Sequence, residues 1–111
     1  MRIDRVYRVL YAADWSDMRE RGSLPESAQD RRDGFIHLST RSQVPETAKL
    51  HFAGDCELVV LEIDVSRLGA DLRWESSRNG MLFPHLYGAL PLTAVVRAIE
   101  LDTFKRELNV Q

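Results

Sequence analysis

The chain of 111 residues carries 15 Lys and Arg against 17 Asp and Glu, a formal charge of −2. That balance leaves no electrostatic footprint for nucleic acid or an anionic membrane. Its 44% hydrophobic and 29% charged residues exclude disorder and suit a single domain over residues 1–111, while Cys56, the only cysteine, excludes an internal disulfide framework and argues against a cysteine-built zinc site.

Residues 6–11, VYRVLY, are rich in β-formers and predict a first strand. A helix is expected over residues 12–21, where Ala12, Trp15 and Met18 have helical spacing, with Gly22 ending it. Residues 23–33 are polar, include Pro25 and lack periodicity, so they read as a loop. A loop of that length in a small domain is functional or mobile. Residues 35–39 predict a short strand, after which Ser42 is placed to cap a helix over residues 43–53. Pro45 is tolerated in its first turn, and Gly54 ends it. The clearest strand is 57–64, ELVVLEID, which suits a central position. Ser66 is expected to cap one helical turn ending at Gly69. Residues 72–75 predict a short strand, and residues 76–80 a turn. Residues 81–87 are extended, with Pro84 arguing for an edge or a bulge. A turn over 91–94 leads into a last strand over 95–101, and Asp102 is placed to cap a terminal helix ending near Leu108. This order predicts an α+β domain with a mixed or antiparallel sheet containing residues 6–10, 35–39, 57–64 and 95–101. The opening residues lack the apolar run of a signal peptide, and no stretch approaches the roughly 18 apolar residues of a membrane span. A cytoplasmic protein is expected.

Two segments, GFIHLST and FPHLYG, repeat one arrangement: a histidine in an apolar stretch, followed two residues later by a hydroxyl. On a strand, His37 then shares a face with Ser39, and His85 with Tyr87. Burying an imidazole is costly unless it is hydrogen-bonded, so all four are expected to line one polar cleft. Imidazole and hydroxyl groups offer donors and acceptors to a sugar or amide, and a tyrosine can stack on an aromatic ligand. Glu75, expected at the cleft's edge, is the carboxylate best placed for general-base work or for stabilising positive charge. Glu62 and Asp64 are weaker rivals. Arg31 and Arg32 would reach a phosphate if the preceding loop folded back. Each residue also has a plainer reading, as a histidine bonded to backbone or a solvated surface charge. The three histidines lack a short metal-ligand spacing, Cys56 has no activating partner, and Ser39 lacks a nucleophile elbow. No metal is expected.

The frame formed by VYRVL, GFIHLST, LVVLEID, LRWE and LFPHLYGAL resembles a bacterial family filed as domain of unknown function number 952. The likeness runs over residues 6–101. That family is thought to be a minimal relative of the ADP-ribosyltransferase fold, so the resemblance implies a split β-sheet with NAD in its cleft. His37 and Ser39 match the pattern of a ribose-binding histidine with a hydroxyl two residues on. Tyr87 is the nearest match to the aromatic that stacks on nicotinamide. Glu75 and Glu100 are both possible counterparts of the transferase glutamate, and Met81 stands where relatives are expected to carry glutamate. The resulting expectation is an enzyme or former enzyme that binds NAD or an ADP-ribose-like nucleotide and cleaves or transfers at the glycosidic bond. Glu75 and His85 would be catalytic, His37, Ser39 and Tyr87 ligand-binding, and NAD the substrate. The competing class is a noncatalytic small-molecule or protein-binding module.

Overall fold

A computed structural model describes residues 3–52 and 57–109. In chain order the elements are β1 (Arg5–Tyr11), α1 (Ala12–Arg21), α2 (Ala28–Asp33), β2 (Ile36–His37), α3 (Val44–His51), β3 (Leu58–Asp64), β4 (Leu72–Ser76), β5 (Leu82–Leu86), β6 (Val95–Glu100) and α4 (Leu101–Leu108). They form two three-stranded antiparallel sheets, ordered β1-β3-β6 and β2-β5-β4. The sheet is divided in two, as the resemblance implied, but the expected placement of residues 35–39 beside residues 6–10, 57–64 and 95–101 is corrected, because residues 36 and 37 pair with β5 while Ser39 pairs with Tyr7 of β1. Tyr7 and Ser39 exchange two backbone hydrogen bonds of 2.8 Å, which tie one sheet to the other.

The first sheet is covered on both faces. Val6, Leu10, Leu61 and Ile63 enter one apolar cluster with Met18 of α1, while Tyr7, Val9 and Val60 enter another with Val44, Ala48 and Phe104. The alternation follows from the two-residue period of a strand. Double burial explains why β1 and β3 are largely apolar on both faces, with Arg8 and Glu62 as interruptions.

α1 has the predicted bounds and ends at Gly22, whose φ of 84° is the left-handed conformation glycine adopts without penalty. The stretch read as a loop contains α2. Ser27 and Asp30 form a reciprocal capping box, and a six-residue helix with five polar residues carries no hydrophobic period from which it could be read. Entry to α3 is set by Gln43 instead of Ser42. The Gln43 side chain accepts from the Thr40 amide and donates to the Leu82 carbonyl, both at 2.9 Å. Asp64, not Ser66, caps the next turn by accepting from the Ser66 amide. Glu100, not Asp102, precedes α4. The predicted helix end at Ala53 and Gly54, and the reading of Cys56, lie outside the described residues.

Pro84 stands in the middle strand of the second sheet, against expectation. Its carbonyl accepts from the Leu38 amide, but it has no N–H to return the bond, and the β2 ladder stops there after two residue pairs. No helix among the described residues is long and apolar enough to cross a membrane.

Candidate functional site

A cavity of about 450 Å³ lies where β1, the segment before α2, the β2 strand, α3 and the end of β4 through β5 converge. Its polar wall includes Arg8, His37, Ser39, Thr47, Arg78 and His85.

Arg8 interrupts the apolar run of β1 and is only 8% exposed. A guanidinium so far from water needs an anion. Asp30, 1% exposed, supplies one with bonds of 3.1 and 2.8 Å, and Arg8 also donates to the His37 carbonyl at 2.8 Å. The capping box holds the Asp30 carboxylate in place through the Ser27 amide. Burial pushes the Asp30 carboxyl pKa up, yet the hydrogen bonds of His37 and Arg8 and the Arg8 charge outweigh it and hold the group well below the usual carboxylate range. Arg8 Nε is buried and has no partner among the described residues.

Gly34, with φ of 81°, closes α2 and turns the chain so that His37 comes back against it. His37 Nδ1 lies 2.8 Å from Asp30, and Nε2 lies 2.9 Å from Asp33. Carboxylates only accept, so satisfying both requires a proton on each ring nitrogen. His37 therefore touches the cavity, but both its nitrogens are engaged with α2.

Ser39 Oγ meets Thr47 Oγ1 at 3.0 Å, and Thr47 accepts from Arg78 Nη2 at 2.8 Å. Arg78 belongs to a tight turn in which Asn79 and Gly80 both have positive φ. Its guanidinium lies 4.7 Å over the Phe83 ring. Arg78 Nη1 is 4.0 Å from Glu46, buried and without a hydrogen bond among the described residues. Burial lowers the pKa of His51 on α3, and the charges of Arg78 and His37 lower it further.

His85 is 5% exposed. One face of its ring stacks on Phe35, with centroids 4.0 Å apart and planes at 23°. Nδ1 lies 2.7 Å from Glu75 Oε1, which also accepts from the Tyr87 hydroxyl at 2.8 Å. The register explains the contact. Glu75 pairs with Phe83, which places Glu75 diagonally from His85 on the same face. Hydrogen bonds from His85 and then Tyr87 lower the Glu75 pKa, and the bond to Glu75 raises that of Tyr87. His85 Nε2 has no partner among the described residues.

The two histidine rings lie 5.8 Å apart, well within one pocket. His37, Ser39 and His85 line it together, whereas Glu75 and Tyr87 sit behind His85 and not on the cavity wall. Arg31 and Arg32 are exposed and bond to the Glu26 carbonyl and to Asp33, leaving the cavity to other arginines. Glu62 and Asp64 pair with Arg5 on the first sheet, and exposed Glu100 ends β6. Sequence reasoning missed Arg8, Asp30, Thr47, Arg78 and Phe35. A basic residue inside an apolar strand and the Ser-x-x-Asp spacing were the available signals for the first two. Among the described residues, no three His, Cys, Asp or Glu side chains gather as a metal site requires.

The profile of a family described as Protein of unknown function (DUF952) matches residues 9–98. The crystal structure of protein CC0527 from Caulobacter crescentus is similar, with a TM-score of 0.81 and 43% identity over 86% of this chain and 84% of that one. The solution NMR structure of the same protein gives a TM-score of 0.76 and 42% identity, over 89% and 85%. No curated protein matches the sequence.

Proposed function

This chain belongs to the DUF952 family, and we propose that its cavity binds a phosphate-bearing nucleotide of the NAD or ADP-ribose kind. The observation that carries the reading is a pair of arginines, Arg8 and Arg78, that line the cavity from different elements. Guanidiniums on a cavity wall are ready partners for phosphate oxygens. The Ser39 and Thr47 hydroxyls beside Arg78 offer further contacts. The volume falls within the usual range for small-molecule pockets, roughly 300–1,000 Å³, and Tyr11, Phe52 and Phe83 supply aromatic wall for a base. The resemblance to the ADP-ribosyltransferase fold supports NAD and ADP-ribose as the nucleotides to try.

In this reading Ser39 and His85 touch the ligand. His37 holds the wall through Asp30 and Asp33, and Tyr87 and Glu75 act through His85. Transfer at the glycosidic bond would call for a carboxylate against the ribose, while Glu75 is engaged by His85 and Tyr87 behind the wall. That placement favours a binding module over a glycosyl transferase. Isothermal titration calorimetry tests the reading: ADP-ribose should bind and adenosine should not. Arg78→Ala should weaken ADP-ribose by about tenfold or more, as loss of a charge-assisted contact implies. Adenosine binding as tightly as ADP-ribose would rule out the phosphate site.

A further inference from the structure

The nucleotide reading uses His85 only as a ligand contact, and its setting is that of a proton acceptor. Its side chain is almost wholly buried yet reaches the cavity wall. Phe35 covers one ring face, and Glu75 accepts from Nδ1, so the proton of the neutral ring sits on Nδ1 and Nε2 keeps its lone pair. Nε2 has no partner among the described residues. A lone pair held in one tautomer by a carboxylate and facing a ligand cavity is the arrangement of a general base.

The rest of the wall decides which bond such a base would break. Two separate guanidinium-bearing residues, Arg8 from β1 and Arg78 from the turn before β5, line the cavity. Two guanidiniums from different walls suit two phosphates, to whose oxygens they would donate hydrogen bonds. We propose that the cavity hydrolyses the phosphoric anhydride bond of a dinucleotide-like ligand, with His85 as the catalytic base and Glu75 as its positioning residue. The proposal rests on the nucleotide reading of the cavity.

The step balances with water alone. His85 Nε2 takes a proton from water as its oxygen forms a bond to one phosphorus. The bond from that phosphorus to the bridging oxygen breaks, and the bridging oxygen leaves with the electron pair on the second phosphate. Arg8 and Arg78 stabilise the charge on the two phosphates, and His85 passes its proton to solvent.

NAD serves as the probe, because each bond yields its own products. Anhydride hydrolysis releases AMP and nicotinamide mononucleotide, while glycosidic hydrolysis releases nicotinamide and ADP-ribose. The full chain is incubated with NAD and the products separated by chromatography, with ADP-ribose binding measured in parallel. The expected result is AMP with nicotinamide mononucleotide. His85→Phe, which keeps a flat ring against Phe35, should lower that rate at saturating NAD by on the order of 10²–10⁴. Glu75→Gln should cause a smaller loss, and ¹⁵N NMR should show the His85 proton partly moved to Nε2, a shift that a purely structural role would not produce. Release of nicotinamide, binding without turnover, or full activity in His85→Phe would each overturn the assignment while leaving the nucleotide site standing. Absence of any ADP-ribose binding would remove both readings together.

Discussion

The two sheets solve the burial problem in opposite ways. In the first, the seven-residue strands β1 and β3 are covered on both faces by aliphatic and aromatic side chains. Its half-buried charges, such as Arg5 with Glu62 and Asp64, pair with one another. In the second, β2 has two residues, β4 and β5 have five, and the middle strand contains a proline and a buried histidine. There, order comes from side-chain hydrogen bonds and stacked rings more than from the ladder. The difference separates a scaffold that tolerates repacking from a region where single polar groups are decisive.

Asp30→Ala should break the polar half hardest. It strands the buried Arg8 and removes a partner of His37, costing about 3–5 kcal/mol by urea denaturation. The pH dependence follows from the depressed Asp30 pKa. Its contribution to stability is fully present above the ordinary aspartate pKa of about 4 and is lost as pH falls toward the much lower folded value. The wild type should therefore lose more stability than Asp30→Ala between about pH 6 and pH 3; parallel losses would deny Asp30 its role. Leu61→Ala tests the apolar half. Leu61 is fully buried in β3, and the cavity left behind should cost about 2–5 kcal/mol with no comparable pH signature. His37→Ala should cost less, about 1–3 kcal/mol, because it leaves Asp30 and Asp33 each one donor short. A melting curve unchanged from wild type would return His37 to a role purely toward ligand.

Legibility divides along the same line. β1, α1, β3 and β6 were readable because an apolar period or run, closed by a residue such as Gly22, dictates them locally. His37, Ser39 and His85 were readable as cavity residues, since i and i+2 share a strand face, whereas Tyr87 turns to Glu75 away from the cavity. The rest depended on contacts distant in sequence. Nothing near Arg8 announces that Asp30 will neutralise it, and nothing near Pro84 announces that a two-residue β2 will be its neighbour. Facing was also insufficient to fix roles: His37 lines the cavity, yet its nitrogens turn to carboxylates carried by a helix too short and polar to be predicted.

The pairing order of the first sheet bears on how this chain folds. β1 has no hairpin partner; its ladder is built with Leu58–Asp64, and β3 in turn waits for Val95–Glu100. Such non-local closure is slow, because chain entropy is lost before the contacts form. By contrast, β4 and β5 are joined by a short turn and can pair early. During synthesis the apolar β1 would emerge well before its ladder partner, with its strand edge and side chains uncovered. Arg8 in the middle of that segment then acts as a gatekeeper against self-association of the nascent chain, a service to solubility delivered before the cavity exists.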